Sequence, residues 1–300
     1  MTSYAAAGVS IAEGDRAVEL MKEWVDKARR PEVVGGIGGF AGLFDASALK
    51  SYERPLLATS ADGVGTKVQI AQRMDKHDTI GFDLVGMLVD DLVVCGAEPL
   101  FMTDYIACGK VMPERIADIV KGIAQACAES GTALLGGETA EHPGLLSPDE
   151  YDIAGSTTGV VEADKLLGAE LVRPGDVVIG MASSGLHSNG YSLVRHVFFA
   201  PSDRGGAGWE LDREVPELGS TLGEELLTPT KLYTLPCLAL AEEVEVHASG
   251  NLLVVYQGSD ALIADLVRHL VTHGVAVVGV EPERSELERI FLEVTQGEVQ

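Results

Sequence analysis

The sequence predicts an α/β protein of two domains, and three observations lead to that prediction. Its length of 300 residues suits about two domains, each large enough to bury a core of its own. Hydrophobic residues make up 46% of the chain, which is ordinary for a globular protein and too many for a disordered one. Strand-like apolar segments alternate with amphipathic helical segments. We place the domains at residues 1–168 and 169–300.

The charge of the chain limits its partners. There are 22 Lys and Arg residues against 46 Asp and Glu residues, which gives a net charge of −24. Nucleic-acid binding needs clustered positive charge, and an anionic membrane repels an acidic surface. We therefore expect a small-molecule ligand, and neither nucleic acid nor a membrane. An acidic protein can still bind an anion when a divalent cation stands between the two.

The cysteines and the N-terminus predict a cytoplasmic protein. The four cysteines are widely spaced and form no C-x-x-C pair, which is typical of free thiols in a reducing compartment. Residues 1–10 lack the basic and apolar regions of a signal peptide. No apolar run approaches the roughly 18 residues that a membrane span needs.

Helix and strand signals are clearest in the first domain. The spacing of Ser10 and Glu13 is that of a capping box, and Pro113 and Gly131 mark the start and end of a later helix. The predicted helices cover residues 10–29, 79–94 and 113–130. The predicted strands cover residues 56–60, 100–107, 132–135 and 151–161. Together these elements predict one α/β domain.

The second domain is predicted to begin with a turn at residues 173–176 and a strand over 177–182. A surface loop is predicted over 200–219 because it is rich in Gly, Pro and charged residues. The remaining elements are a helix over 231–243, a strand over 252–256, a helix over 260–272, a strand over 275–280 and a short helix from Ser285.

Two glycine-rich segments are candidates for phosphate binding. The first contains Gly35, Gly36, Gly38 and Gly39, whose backbone amides can approach phosphate oxygens, although a flexible linker explains it equally well. The second is the run DGVGTK at 62–67, directly after a predicted strand. It combines a carboxylate, glycines, a hydroxyl and an ammonium group, which together suit a metal–phosphate site. The alternative is a surface turn.

Acidic residues on the helix over 79–94 are candidates for cation binding. Asp83 and Asp90 are seven residues apart and share a face, and a solvated acidic face explains Asp83 best. Asp91 is predicted to lie towards the apolar stripe, where a buried carboxylate needs a cation. Asp62, Asp90 and Glu138 are together predicted to supply hard oxygen ligands for Mg²⁺.

The last candidate segment is SSGLHSNG at 183–190, between a predicted strand and a predicted helix. Its Ser and Asn residues, Asn189 among them, can cap the following helix. His187 in such a turn is a candidate proton carrier or phosphate contact.

These motifs, in this order, resemble those of the phosphoribosylformylglycinamidine cyclo-ligase family, the aminoimidazole ribonucleotide (AIR) synthetases. The resemblance covers residues 1 to about 247. The matching runs are RPEV at 30–33, GGIGGF at 35–40, DGVGTK at 62–67, HDTIGFDLVGMLVDDLVVCGAEPLF at 77–101, GGETAEHPG at 136–144, YDIAGSTTGVVE at 151–162, SSGLHSNGYSLVR at 183–195 and LLTPTKLY at 226–233.

The resemblance implies a two-domain AIR-synthetase-like architecture and a homodimer that pairs through its N-terminal sheets. It also implies ATP-dependent ring closure of formylglycinamidine ribonucleotide in purine biosynthesis, with Mg²⁺ and a site in a cleft between the domains. The catalytic residues implied by position are Asp62, Lys67 and His187. The nucleotide-binding residues implied are Gly35, Gly36, Gly38, Gly39, Asp62, Gly63, Gly65, Thr66, Lys67, Asp90, Glu138 and Asn189, with Asp62, Asp90 and Glu138 as the metal ligands.

After His247 the family pattern stops, and the chain is several dozen residues shorter than the family. The tail is similar to the end of ABC-transporter ATPase subunits but has no Walker motif, so no ATPase function transfers. We therefore expect the second domain to be incomplete or rearranged. Two alternatives follow: a nucleotide-binding or dimerising remnant without activity, and a relative acting on another substrate, such as thiamine-monophosphate kinase or selenophosphate synthetase. The runs LHSNGYSLVR and GGETAEHPG weigh against the second.

Overall fold

A computed structural model of the chain describes residue 4 and residues 8–36, 41–173, 176 and 179–246. The helices are α1 (Ile11–Lys27), α2 (Val68–Met74), α3 (Ile80–Val93), α4 (Pro113–Ser130), α5 (Tyr191–Phe199), α6 (Leu222–Leu226) and α7 (Thr234–Val246). The strands are β1 (Val33–Val34), β2 (Leu43–Phe44), β3 (Pro55–Gly63), β4 (Glu98–Cys108), β5 (Ala133–Glu141), β6 (Tyr151–Glu162), β7 (Glu214–Val215) and β8 (Ser220–Thr221).

The long strands form one mixed sheet in the order β3-β6-β4-β5. β6 runs antiparallel to both β3 and β4, whereas β4 and β5 are parallel and are connected through α4. The predicted α/β class is therefore confirmed. None of the described helices is both long and apolar enough to span a membrane.

Helices α3 and α4 cover one face of the sheet, and much of the other face, here called the open face, is exposed among the described residues. Apolar side chains of both helices are fully buried against strand residues such as Met102 and Ile106. On the opposite face, Leu57 of β3 is 64% exposed and Tyr105 of β4 is 41% exposed. This one-sided burial follows from the alternation of side chains along each strand.

The predicted ends of α1 and α4 agree with the structure, with one difference at α1. The side chain of Ser10 caps α1 by accepting from the amide of Glu13. The amide of Ser10, however, donates to Glu141 at the end of β5 (N···Oε2 2.8 Å) and not to Glu13, so the capping box is incomplete. Gly131 ends α4 with a φ of 72°, a conformation that glycine adopts without strain.

Two predicted boundaries were wrong in the described residues. β5 continues through residues 136–141, beyond the predicted end of the strand at residue 135. Residues 179–182 form no strand, so the predicted strand over 177–182 is not present there, and its first two residues lie outside the described part. The segment 200–219 contains a short 3₁₀ turn at Ser202–Arg204 and strand β7. The predicted elements after residue 247 lie outside the described residues.

Helices α5 and α6 pack on the same apolar core as the sheet helices. Buried residues of α5, such as Tyr191 and Phe198, and of α6, such as Leu222, belong to one cluster with residues of α2, α3 and α4. This packing places the segment before α5 beside Val64, at the end of β3, and the segment after α6 against Lys67. The division of the chain at residue 168 remains a prediction.

Candidate functional site

A cleft of about 390 Å³ lies where the end of β3 meets the start of α5. It is lined by residues 62–66, 152–154 and 188–192. Two contacts join its walls: the hydroxyl of Ser188 donates to the carbonyl oxygen of Val64 at 2.9 Å, and the hydroxyls of Thr66 and Ser192 lie 3.2 Å apart. The structure thus places two of the predicted segments, DGVGTK and SSGLHSNG, side by side.

Local backbone geometry exposes polar groups in this cleft. Asp62 is exposed at the end of β3, and one of its carboxylate oxygens accepts from the amide of Gly63 at 2.7 Å. Gly65 turns the chain with a φ of 73°, and Gly190, with a φ of 83°, precedes the first turn of α5. The first amides of a helix have no partner within the helix and attract anions. The cleft therefore combines a carboxylate with a helix N-terminus.

Lys67 does not line this cleft, although it ends the same motif. Its side chain is fully buried, and its ammonium group donates to Asp83 Oδ1 at 2.7 Å and to the carbonyl oxygens of His187 at 2.9 Å and Thr228 at 2.7 Å. A lysine has three donors, and all three are engaged here. In this arrangement Lys67 has no donor left for a phosphate oxygen, and the predicted phosphate contact stays a prediction.

Asp83 is buried, which corrects the prediction that it belongs to a solvated face. Its Oδ1 accepts from Lys67 and also from the hydroxyl and the amide of Thr230, at 2.6 and 3.1 Å. Burial lowers the pKa of Lys67 and raises the pKa of Asp83, while the attraction between the two groups opposes both shifts. We call Lys67, Asp83 and Thr230 the buried cluster. It ties the sheet domain to the segments around His187 and Thr228.

His187 is half-buried and lies beside the buried cluster. Its ring centroid is 5.9 Å from that of Tyr233, and its Nε2 faces the amide of Ser184 at 3.5 Å. Burial, followed by the charges of Lys67 and Lys231, lowers the pKa of His187. The imidazole is therefore neutral at pH 7 and able to accept a proton.

Asp90 and Asp91 of α3 have different surroundings from those predicted. Asp91 is exposed and accepts from the hydroxyl of Ser60 at 2.7 Å, so it does not point into the apolar stripe. Asp90 is half-buried, and its Oδ1 has no hydrogen-bond partner among the described residues. Burial and the charge of Asp91 raise the pKa of Asp90 to about 6. Asp90 lies near Tyr233 and Cys237, and its charge helps to raise the pKa of both.

Glu138 lies on the other face of the sheet from Asp62. Asp62, Gly155, Asp104 and Gly137 are paired across the four strands and share a face, and Glu138 is the residue after Gly137. Because successive strand residues point to opposite faces, Glu138 points to the open face. No group of three or more His, Cys, Asp or Glu side chains in the described chain is placed to hold a metal ion. The three predicted metal ligands are therefore not brought together.

Two acidic residues of this region were missed in the sequence. Asp152 lines the cleft, and the only sequence signal for it was its place in the run YDIAG. Asp104 is 9% exposed, and burial raises its pKa to about 7. A Cβ atom at Gly137 would lie 2.3 Å from Asp104 Oδ1, so a glycine is needed beside this carboxyl group. Asp104 was not predicted because it lies within an apolar strand.

The glycine loop at 35–39 is described only in part. Gly35 has a φ of 91°, and its carbonyl oxygen accepts from the guanidinium of Arg29. Gly38 and Gly39 lie outside the described residues. The predicted contact of this loop with ATP stays a prediction.

Comparison with protein families gives two matches along the chain. The model described as "AIR synthase related protein, N-terminal domain" matches residues 44–161, and its C-terminal-domain counterpart matches residues 173–250. Together they cover more than half of the chain. The chain belongs to the AIR synthase family. The residues that carry the cleft and the buried cluster fall within these two matches.

Three curated relatives of this AIR synthase family member are named phosphoribosylformylglycinamidine cyclo-ligase. The protein of Geobacillus sp. (strain WCH70) is 52% identical over 250 residues, which is 83% of this chain and 70% of that protein. The Geobacillus kaustophilus protein is 52% identical over 256 residues, covering 84% and 72%. The Geobacillus thermodenitrificans protein is 55% identical over 231 residues, covering 77% and 65%.

Solved structures are more distantly similar. Thiamine-monophosphate kinase from Stenotrophomonas maltophilia aligns with a TM-score of 0.46 at 18% identity, over 78% of this chain and 65% of that one. A hydrogenase maturation protein HypE in complex with ATP aligns with a TM-score of 0.44 at 15% identity, over 96% and 82%. Likeness at this level carries no conclusion about function.

Proposed function

We propose that this chain catalyses the ATP-dependent ring closure of formylglycinamidine ribonucleotide to aminoimidazole ribonucleotide, with release of ADP and phosphate, in purine biosynthesis. Relatives that are 52–55% identical are named for this cyclo-ligase activity. The observation that carries the proposal is the cleft, in which the exposed carboxylate of the DGVGTK run meets the helix N-terminus that follows the SSGLHSNG run. The cysteines are free, which fits a reducing cytoplasm.

The cleft suits the phosphates of ATP. Phosphoryl transfer needs mainly positioning and neutralisation of charge, which backbone amides and a metal ion provide. The first residues of α5 bring such amides to the cleft, opposite the turn at Gly65. The hydroxyls of Thr66 and Ser192 are two further polar groups on the walls of the cleft.

The residues of the cleft also fit Mg²⁺. This ion prefers one or two carboxylates together with phosphate oxygens, and Asp62 and Asp152 both line the cleft and are both exposed. We propose Asp62 as the first ligand and Asp152 as the second. Bound Mg²⁺ would neutralise charge on the β- and γ-phosphates. Asp90 and Glu138 do not line the cleft, so we assign them no ligand role in this arrangement.

The reaction needs two bond exchanges. The formyl oxygen of the substrate attacks the γ-phosphorus, and the bond from that phosphorus to the β,γ-bridging oxygen breaks, which releases ADP. The ring-closing nitrogen then attacks the activated carbon, a C–N bond forms, and the C–O bond breaks to release phosphate. The nitrogen loses a proton in this step. We propose that neutral His187 accepts that proton. The backbone carbonyl oxygen of His187 accepts a hydrogen bond from Lys67, which holds the residue beside the cleft.

A coupled assay on the full chain tests the proposed function. We expect ADP release that depends on formylglycinamidine ribonucleotide and yields an equal amount of aminoimidazole ribonucleotide. Binding of ATP in the presence of Mg²⁺ without any turnover would favour the inactive remnant instead. ADP release with thiamine monophosphate and not with formylglycinamidine ribonucleotide would indicate a different substrate class.

We also propose that the chain forms a homodimer through the open face of the sheet. This face exposes apolar side chains at Leu57 and Tyr105, and a second copy would cover them. Leu57→Glu should shift the protein to a monomer in analytical ultracentrifugation. Leu145→Glu, at a residue 77% exposed in the loop after β5, serves as the control and should leave the mass unchanged. A monomeric wild-type chain would overturn the proposal.

A further inference from the structure

A second groove runs between α2 and α5 and has a volume of about 360 Å³. One wall is Gln69 and Arg73 of α2, four residues apart on one side of that helix. The other wall is Ser192, Arg195 and His196 of α5. Of these five residues, Ser192 also lines the cleft proposed for ATP, and the other four do not.

This groove is positively charged in a chain whose net charge is −24. The side chains lining it include two guanidinium groups and an imidazole, and no carboxylate. Among the described residues, the one acidic contact is at its edge, where Arg73 pairs with Glu210 at 3.2 Å, with the two side chains 46% and 76% exposed. Such an exposed pair is weak and readily gives way to another anion.

Arg195 is the strongest indication that the groove binds an anion. It is half-buried, and the described part of the chain offers it neither a hydrogen bond nor an ion pair. A guanidinium withdrawn from water loses hydration, and an acceptor normally compensates that loss. Arginine's planar group binds two phosphate oxygens at once, which makes phosphate a fitting ligand.

The groove adjoins the cleft proposed for ATP. Ser192 lines both of them. Arg195 lies one turn further along α5, about 4.5 Å in axial distance, given the rise of an α-helix. A molecule bound in the groove would therefore extend towards the phosphates held in the cleft.

We propose that the groove between α2 and α5 binds the terminal phosphate of the ribonucleotide substrate, with Arg195 and Arg73 as its main contacts. This proposal rests on the proposed function. The cleft and the groove differ in charge, as ATP and the ribonucleotide phosphate require. The cleft contains Asp62 and Asp152 and so favours a phosphate chain that carries a metal ion, whereas the groove favours a metal-free phosphate monoester.

Kinetics with two substrates tests the proposal. In the wild-type chain, formylglycinamidine ribonucleotide should be used with a higher kcat/KM than the corresponding nucleoside, which lacks the phosphate. Arg195→Gln should raise the KM for the ribonucleotide by about 10- to 100-fold, the effect of one charge-assisted contact, and leave the nucleoside and the KM for ATP nearly unchanged. Arg16→Gln, which removes an exposed guanidinium paired with Glu114 on α4, is the matched control.

Calorimetry with ribose 5-phosphate provides a readout that does not need turnover. The wild-type and Arg16→Gln proteins should bind it, and Arg195→Gln should bind it at least tenfold more weakly. Equal loss of ribonucleotide and nucleoside use in Arg195→Gln, or a raised KM for ATP alone, would overturn the proposal. If the wild-type chain binds ribose 5-phosphate through Arg195 but forms no aminoimidazole ribonucleotide, the proposed function fails and the phosphate groove stands.

Discussion

The cleft and the buried cluster are built from the same six-residue motif but differ in their access to water. Asp62 lies exposed in the cleft, whereas Lys67, five residues later, is fully buried. The carboxylate of Asp62 has acceptor capacity left for a ligand. The ammonium of Lys67 has none of its donors left, because it holds Asp83 and two carbonyl oxygens of the chain's second half. One motif therefore supplies both a binding group and an assembly contact.

Two acidic residues of α3 differ in whether they have partners inside the protein. The buried carboxylate of Asp83 accepts hydrogen bonds from Lys67 and Thr230. Asp90, seven residues later on the same helix, retains a buried oxygen without a partner among the described residues. Burial of a carboxylate is costly unless a cation or donors compensate it. The carboxylate of Asp83 therefore stabilises the fold through its partners, whereas the partly buried carboxylate of Asp90 lowers the stability of the folded chain.

The largest effect is expected when Lys67 is replaced. Lys67→Met leaves the carboxylate of Asp83 buried without its cation, so the free energy of unfolding should fall by about 3–5 kcal/mol in urea denaturation. Lys76→Met removes an exposed lysine from an ion pair with Asp78 and should cost less than about 1 kcal/mol.

The double variant Lys67→Met with Asp83→Leu distinguishes pairing from packing. It should recover much of the lost stability, because no unpaired charge is then buried. If Lys67→Met alone kept full stability but lost affinity for ATP, Lys67 would be a phosphate contact after all, and the buried cluster would have no structural role.

The next largest effect is expected at Asp62, which is exposed in the cleft. Asp62→Asn removes a charge from an exposed position, so stability should change by less than about 0.5 kcal/mol. Its affinity for ATP in the presence of Mg²⁺ should fall by about 10- to 100-fold. Calorimetry with and without Mg²⁺ measures both values. Asp164→Asn, at an exposed site outside the cleft, should bind like the wild type. Unchanged affinity in Asp62→Asn would remove Asp62 from the site.

A smaller and pH-dependent effect is expected at Asp90. Its pKa is raised from 3.8 to about 6 in the folded chain, so the folded state holds a proton there that the unfolded state has lost over that pH range. The stability that this provides is complete below pH 3.8 and is lost as the pH rises through about 6. Asp90→Asn should therefore be more stable than the wild type by about 1–2 kcal/mol at pH 7.5, and by less at pH 4.5.

Thermal denaturation of Asp90→Asn at both pH values measures this difference. Asp91→Asn is the neighbouring control, since Asp91 is exposed and bonded to Ser60. A gain that is equal at the two pH values would mean that Asp90 does not titrate between them. The absence of any gain at pH 7.5 would show that a cation already compensates its charge.

The sequence predicted the elements whose signals are local. The capping residue Ser10 and the pair Pro113 and Gly131 placed the helix ends, because caps depend on a few neighbouring residues. The predicted strand over 132–135 ended too early, since pairing with β4 extends it through residue 141. Pairing with a distant strand is not visible in a short segment.

What the sequence determined by itself was the α/β class, the family and the segments that carry polar groups. Only the tertiary structure decided which of these groups share a site. Glu138 was separated from Asp62 by the alternation of strand faces, which depends on the pairing register of four strands. Lys67 was turned inward by partners as distant as Thr228, 161 residues along the chain. The physical reason is that a motif determines which chemical groups are present in a segment, whereas the segments that pack against it determine which of those groups are buried.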